Sequence, residues 1–129
     1  MHIPESIQNF GDSQLLLAAR AALAGGTIIA NAYGKLWKIT EKGVGDLVSQ
    51  VDSEAEKTIL DVIKKEDALS NIISEESIHE QDKNTSSRWI IDPLDGTAAF
   101  LFKAGGDKPA VLIAHQQNEM TDIAVIFLQ

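Results

Sequence analysis

A layered α+β fold, with an N-terminal helical pair ahead of a mostly antiparallel sheet, is predicted by the order of the chain's periodicities. Apolar residues recur at helical spacing through the first half of the 129 residues, and short apolar runs bounded by polar turns fill the second. Helices grouped before strands favour segregated layers over alternating βαβ units. A chain of this length can bury a real core, hiding roughly two-thirds of its unfolded surface.

Residues 1–11 form a lead-in ending at Gly11, and Asp12 or Ser13 caps the first helix. Its apolar positions include Leu16, Leu17, Ala21, Ala24, Ile28 and Ala32, and it fades around Tyr33-Gly34. Gly25-Gly26 weakens the helix by about 1 kcal/mol per glycine, so close packing against a neighbouring element is expected there. Next come Lys35, Lys38, Lys42 and the loop Gly43-Val44-Gly45-Asp46, after which Leu47 to Val51 reads as a short strand or an extended approach to a helix. Ser53-Glu54-Ala55-Glu56 fits a capping box. The helix it would open carries Ala55, Ile59, Leu60, Val62 and Ile63 on one side and ends near Lys64-Lys65, which suits the negative end of its dipole.

Residues 71–74 read as a short buried strand that delivers Glu75-Glu76, and residues 77–87 as a polar, mobile loop. A strand over 88–91 runs into Asp92-Pro93-Leu94-Asp95-Gly96-Thr97, and strands over 110–114 and 123–128 flank a hairpin-like polar segment. The final apolar run, Ile123 to Gln129, has no polar tail. The expectation is therefore that residues 1–129 are the N-terminal portion of a larger domain whose C-terminal half is absent.

Composition narrows the function. A formal charge of −8 disfavours nucleic acid or an anionic membrane surface as the main partner. It leaves a phosphate substrate open, because bound divalent cations reverse the sign of a local acidic site. The absence of cysteine excludes disulfides, thiolate metal sites and cysteine nucleophiles. The N-terminal Met1-His2-Ile3-Pro4-Glu5 has neither the basic nor the apolar region of a signal peptide, and no uninterrupted apolar run reaches about 18 residues. A cytoplasmic protein with no membrane partner is the expectation.

The chemistry gathers in the acidic turns. A hard cation such as Mg2+ takes oxygen ligands, usually carboxylates with substrate phosphate and water. Asp92 and Asp95 flank a proline-leucine turn and can converge on one point, with the Leu94 carbonyl beside them. Gly96 allows close backbone approach, and the amides of Gly96 and Thr97 can face a phosphate if a helix begins there. Glu75 and Glu76 end a different strand, and a parallel pairing would bring both strand ends to one rim. Asp, Pro and Gly are also the commonest turn formers, and taken alone Asp52 reads as a helix cap and Glu75-Glu76 as a solvated pair. Against that, Asp-Pro-x-Asp-Gly-Ser/Thr arises by chance only about once per million start positions.

Three blocks resemble the inositol monophosphatase family of magnesium-dependent, lithium-sensitive phosphatases: Gly45 to Asp52, Ile73 to Ser77, and Trp89 to Thr97. The likeness matches the N-terminal half of the family and extends over nearly the whole chain. It implies a layered α/β sandwich of the sugar-phosphatase type and hydrolysis of a phosphate monoester, similar to inositol monophosphate, by metal-activated water. By the same resemblance Glu75, Asp92, Leu94 (through its carbonyl) and Asp95 are metal ligands and Mg2+ is the cofactor. Glu76, Thr97 and Asp52 look like the groups around the attacking water, and Gly96 with Thr97 like the phosphate cradle. A homodimer is implied because the family commonly forms one.

Departures from the pattern are specific. Ala98-Ala99 stands where the family often has side chains able to hydrogen-bond near the substrate, and Ser74 where many members have glycine. The segment Lys103 to Lys108 looks longer than usual, and the family's later metal-binding aspartate, in a Trp-Asp-x-Ala-type segment, is not in these 129 residues. The serine is reminiscent of the bisphosphate nucleotidases, so a 3'(2'),5'-bisphosphate nucleotidase or sugar bisphosphatase is the near alternative. A truncated, non-catalytic metal-binding or interaction fragment is the alternative of another class. His2, His79 and His115 show no ligand spacing and are read as surface residues, and Trp37 and Trp89 as packing anchors.

Overall fold

Two helices lie on one face of a five-stranded sheet among the residues that the computed structural model describes, namely 13–33, 43–74, 78–79, 86–95 and 110–128. In chain order these are α1 (Ser13–Tyr33), α2 (Gly43–Glu66), β1 (Asn71–Ser74), β2 (Ile78–His79), β3 (Ser87–Asp95), β4 (Ala110–Gln117) and β5 (Met120–Leu128). The sheet order is β2-β1-β3-β4-β5. β1 and β3 run parallel and the other three pairings are antiparallel, so the layered, mostly antiparallel α+β expectation holds.

The period of two along each strand sends alternate residues to the helical layer. The registers line them up as Ile72, Trp89, His115 and Ile123 in one row and Ser74, Ile91, Ile113 and Val125 in the next. Trp89, Ile72, Ile91 and Ile113 are essentially sealed from solvent and form one core with the helices. Each fully buried side chain of this size stabilises by about 1.5–3 kcal/mol. The opposite face holds half-buried Ile73, Ile90, Leu112 and Ala114, with Ile126 and Leu128 exposed on edge strand β5. The β4–β5 hairpin turns through Asn118 and Glu119, at φ 53° and 67°, the positive pair that a two-residue type I′ turn requires.

The helices meet along small residues. Ala18, Ala22, Gly25 and Ile29 of α1 recur at helical spacing and are buried, as are Val51, Ala55, Ile59 and Ile63 of α2. This stripe lies to one side of the predicted face: Leu17 and Ala21 belong to it, whereas Leu16, Ala24, Ile28 and Ala32 are only half-buried. Gly25 is the point of closest approach. A Cβ there would sit 2.6 Å from Cδ1 and 2.8 Å from Cγ1 of Ile59, too close for any real carbon contact. The expected packing reason for the glycine is thus found, with α2 as the neighbour.

Several expectations are corrected. Leu47 to Val51 is neither strand nor approach, because α2 already begins at Gly43. Ser53 therefore caps nothing, and Asp52 sits within a continuous helix rather than at its start. The segment expected to be a loop from 77 contains β2, whose Ile78 and His79 pair with Ile73 and Ile72. α1 is also long and apolar enough over Ser13–Ala32 to cross a membrane by length and composition. It packs instead on α2, β4 and β5, with Leu17, Ala18, Ala21, Ala22 and Ile29 inside the core.

His115 is the largest surprise, since it is fully buried rather than on the surface. Its Nδ1 lies 2.7 Å from Asp122 Oδ1 and its Nε2 2.7 Å from Ser87 Oγ, while its ring meets Trp89 edge-on at 4.7 Å. The chain of contacts continues from Ser87 to Ser70 at 2.6 Å, and Ser70 donates to Asp67 Oδ2 at 2.6 Å. The same carboxylate oxygen accepts the Trp89 Nε1–H at 2.9 Å, so the packing anchor expected of Trp89 has its polar atom satisfied. Trp37 and His2 lie outside the described residues, as does the side chain of His79.

Gly25→Ala loses about 1–2 kcal/mol in urea denaturation, because overpacking outweighs the gain in helix propensity. Adding Ile59→Val, which removes the clashing Cδ1, makes the double variant more stable than the sum of the two single changes allows. At the exposed end, Arg20 donates to both Glu66 carboxylate oxygens at 2.6 Å, and this bond, ahead of the charge attraction, holds the Glu66 carboxyl below its usual range. A depressed carboxyl contributes stability above its unfolded value and loses it as pH falls through the folded one. The difference in urea midpoint between the unaltered chain and Glu66→Gln should accordingly be small at neutral pH and vanish on acidification.

Candidate functional site

Parallel pairing of β1 with β3 sets the site. Its register places Ser74 beside Ile91, so β1 ends level with the residue that precedes Asp92. The parallel pairing expected from the sequence is thus present, and it carries both strands toward one rim. Beyond Ile91 the β3–β4 ladder is irregular: Asp92 faces Leu112 and Asp95 faces Ala110. Three steps on β3 match two on β4, which makes a bulge at Pro93-Leu94. Proline has no amide to give a ladder, and a bulge is where a strand can tolerate it. Asp92 is half-buried there, and its Oδ1 accepts the Leu94 N–H at 3.3 Å, a local turn inside the strand.

α2 brings the second described carboxylate. It packs on β3 and runs against it, since Asp67 just beyond its C-terminus bonds Trp89 near the start of β3 while Glu56 bonds Ser74 at the end of β1. Moving toward the N-terminus of α2 therefore means moving toward the Asp92 rim. Asp52 is half-buried one turn before Glu56 on the same helical face, about 6 Å further along. A residue expected to cap a helix thus projects from the body of one, on the side that leads to the rim.

Of the other expected site residues, Leu94 is buried in the bulge and Asp95 closes β3 opposite Ala110. The Asp95 side chain lies outside the described residues, as do Glu75, Glu76, Gly96 and Thr97. Among the described residues no three His, Asp or Glu side chains form a metal-sized cluster. The groups that are described, the Asp52 and Asp92 carboxylates and the Leu94 carbonyl at the bulge, are all hard oxygen donors and fit Mg2+ rather than a softer metal. The contact that sequence reasoning missed is Ser74 with Glu56. Its signal was available in the four-residue spacing of Asp52 and Glu56, but only once both are placed on one helix.

Relatives agree with this architecture. The chain is 37% identical over 115 residues to the Nus factor SuhB of Haemophilus influenzae, covering 88% of this chain and 42% of that protein. It is 42% identical over 87 residues to an inositol-1-monophosphatase of Synechocystis, covering 67% and 30% respectively. The crystal structure of the extragenic suppressor protein suhB from Bartonella henselae superposes with a TM-score of 0.76 at 29% identity, over 90% of this chain and 44% of that one. The chain spans less than half the length of each of these proteins. Residues 12–127, from the start of α1 nearly to the end of β5, match the profile of the Inositol monophosphatase family. By sequence profile, relatives and fold alike, the chain belongs to the inositol monophosphatase family.

Proposed function

We propose that the rim built by the ends of β1 and β3 and by α2 is part of a magnesium-dependent phosphomonoesterase site acting on a small phosphorylated substrate similar to inositol monophosphate. The observation that carries this reading is the parallel pairing that sets the end of β1 level with the start of the Asp92 segment, at the end of the sheet toward which the N-terminal half of α2 leads, in a chain of this family. Glu75, Asp92 and Asp95 would hold Mg2+ through carboxylates, and Leu94 through its carbonyl. When bound, the cation supplies charge neutralisation and lowers the proton affinity of a ligated water.

The remaining roles belong to the chain itself. Asp52 and Thr97 orient a water in line with the phosphorus, and Glu76 stands close to it. The Gly96 and Thr97 amides donate to the phosphate oxygens, where extra negative charge is hardest to accommodate on an acidic protein. Water oxygen bonds to phosphorus as the bond from phosphorus to the ester oxygen breaks; one proton of the water passes through the site to the departing alcohol and the other stays on the inorganic phosphate. No covalent phospho-enzyme forms. The proposed compartment is the cytoplasm.

Inorganic phosphate release from inositol monophosphate by the purified chain tests the proposal. Release should rise with millimolar Mg2+, stop on chelation, and fall by at least about 100-fold in Asp95→Asn and in Thr97→Ala, the scale for losing one charge-stabilising group. A chain that is folded yet releases no phosphate at any Mg2+ concentration would defeat the reading. Asp92 separates fold from chemistry. Asp92→Asn keeps an oxygen for the Leu94 amide and should unfold at nearly the unaltered urea concentration, whereas Asp92→Ala strands that buried amide and loses about 1–2 kcal/mol. Both variants should lose Mg2+-dependent release.

A further inference from the structure

We infer that Glu56 is a positioning residue for the rim, acting through Ser74; the inference rests on reading the rim as a cation site. Ser74 is buried at the end of β1, and its Oγ donates to Glu56 Oε1 on α2. Three elements are fixed by this one contact. β1 is tied directly, β3 through the backbone pairing of Ser74 with Ile91, and α2 through the side chain of Glu56. Ile91 precedes Asp92, and Glu56 follows Asp52 by one helical turn on the same face. A slide or roll of α2 along the sheet would change the separation of Asp52 from Asp92, and apolar packing alone resists such motion weakly because it has no direction. A hydrogen bond from a buried hydroxyl to a carboxylate is directional, short and stronger than a neutral one.

The chemistry also argues against a purely structural purpose. Drawing a carboxylate toward a buried strand end costs desolvation that an apolar pair of similar volume avoids, so stability alone does not require it. Orienting groups behind metal ligands have this character, and losing one typically weakens metal affinity by about 10–100-fold.

Mn2+ binding to the whole 129-residue chain, read from the loss of free Mn2+ signal in electron paramagnetic resonance, tests the inference. Titrations run at low temperature, where circular dichroism confirms that every variant is folded. Glu56→Ala and Ser74→Ala should each weaken Mn2+ binding about tenfold, at the lower end of that range. The double variant should bind no more weakly than either single one, since both remove the same contact. Glu56→Gln, whose amide oxygen still accepts from Ser74, should restore most of the affinity. A change in thermal midpoint with unchanged Mn2+ affinity would make the pair merely structural and overturn the inference. Equal losses in Glu56→Gln and Glu56→Ala would overturn it in favour of a direct charge effect. No Mn2+ binding by the unaltered chain would overturn the cation reading of the rim, and the inference with it.

Discussion

Everything at the rim depends on how α2 lies along the sheet. The helix is held to the sheet by two polar bonds of the same sense, a carboxylate on the helix side accepting from a donor on the sheet. Near its C-terminus Asp67 accepts the indole N–H of Trp89, and a few turns earlier Glu56 accepts the hydroxyl of Ser74. Alongside them the apolar series Val51, Ala55, Ile59 and Ile63 meets the small-residue stripe of α1. Apolar burial supplies most of the free energy, yet it does not define a register. The two bonds do, because each is directional and is lost if the helix shifts, and a buried donor such as the Trp89 N–H left unsatisfied costs about 1–3 kcal/mol. Trp89 is central here: fully buried, it would otherwise carry its N–H into the core without a partner.

Two irregularities in the sheet perform the other placements. Between His115 and Gln116 the β4–β5 register passes from Ile123 to Thr121, leaving Asp122 as the extra residue of a bulge. That residue reaches His115, which allows a histidine to occupy a fully buried position among apolar neighbours. At the other end of the sheet the Pro93-Leu94 bulge re-aims the strand where Asp92 and Asp95 emerge. In both places one added residue turns a carboxylate-bearing segment out of the regular alternation.

The sequence shows most plainly those features whose physics is local. The helix ending at Tyr33, the strands beginning at Asn71 and Ala110, and the packing reason for Gly25 all follow from periodicity and propensity within one segment. The errors share a cause. Ser53-Glu54-Ala55-Glu56 satisfies a local capping pattern, but its glutamate is engaged across the fold by Ser74, and the helix had begun ten residues earlier. His115 looked isolated because Ser87 is 28 residues away and Asp122 is brought to it only by a bulge. The acidic block at 92–95 was visible in the sequence; the means of aiming it was not, because the bulge depends on the partner strand.

Asp-Pro-Leu-Asp is readable either as a turn or as a site, and the structure shows the turn in a form compatible with the proposed site. Asp92 Oδ1 accepts the amide of Leu94, so the aspartate forms the turn with its own carboxylate. A carboxylate has two oxygens and several lone pairs, and a single amide bond to one oxygen leaves coordination capacity. The turn also orients that carboxylate, since a side chain bonded to the backbone two residues on has few rotamers left. Proline contributes in the same direction by fixing its own φ and donating nothing to the neighbouring strand. The residues that make a good turn are thus the ones that would hold the proposed oxygen ligand still, which is why turn propensity alone could never have decided between the two readings.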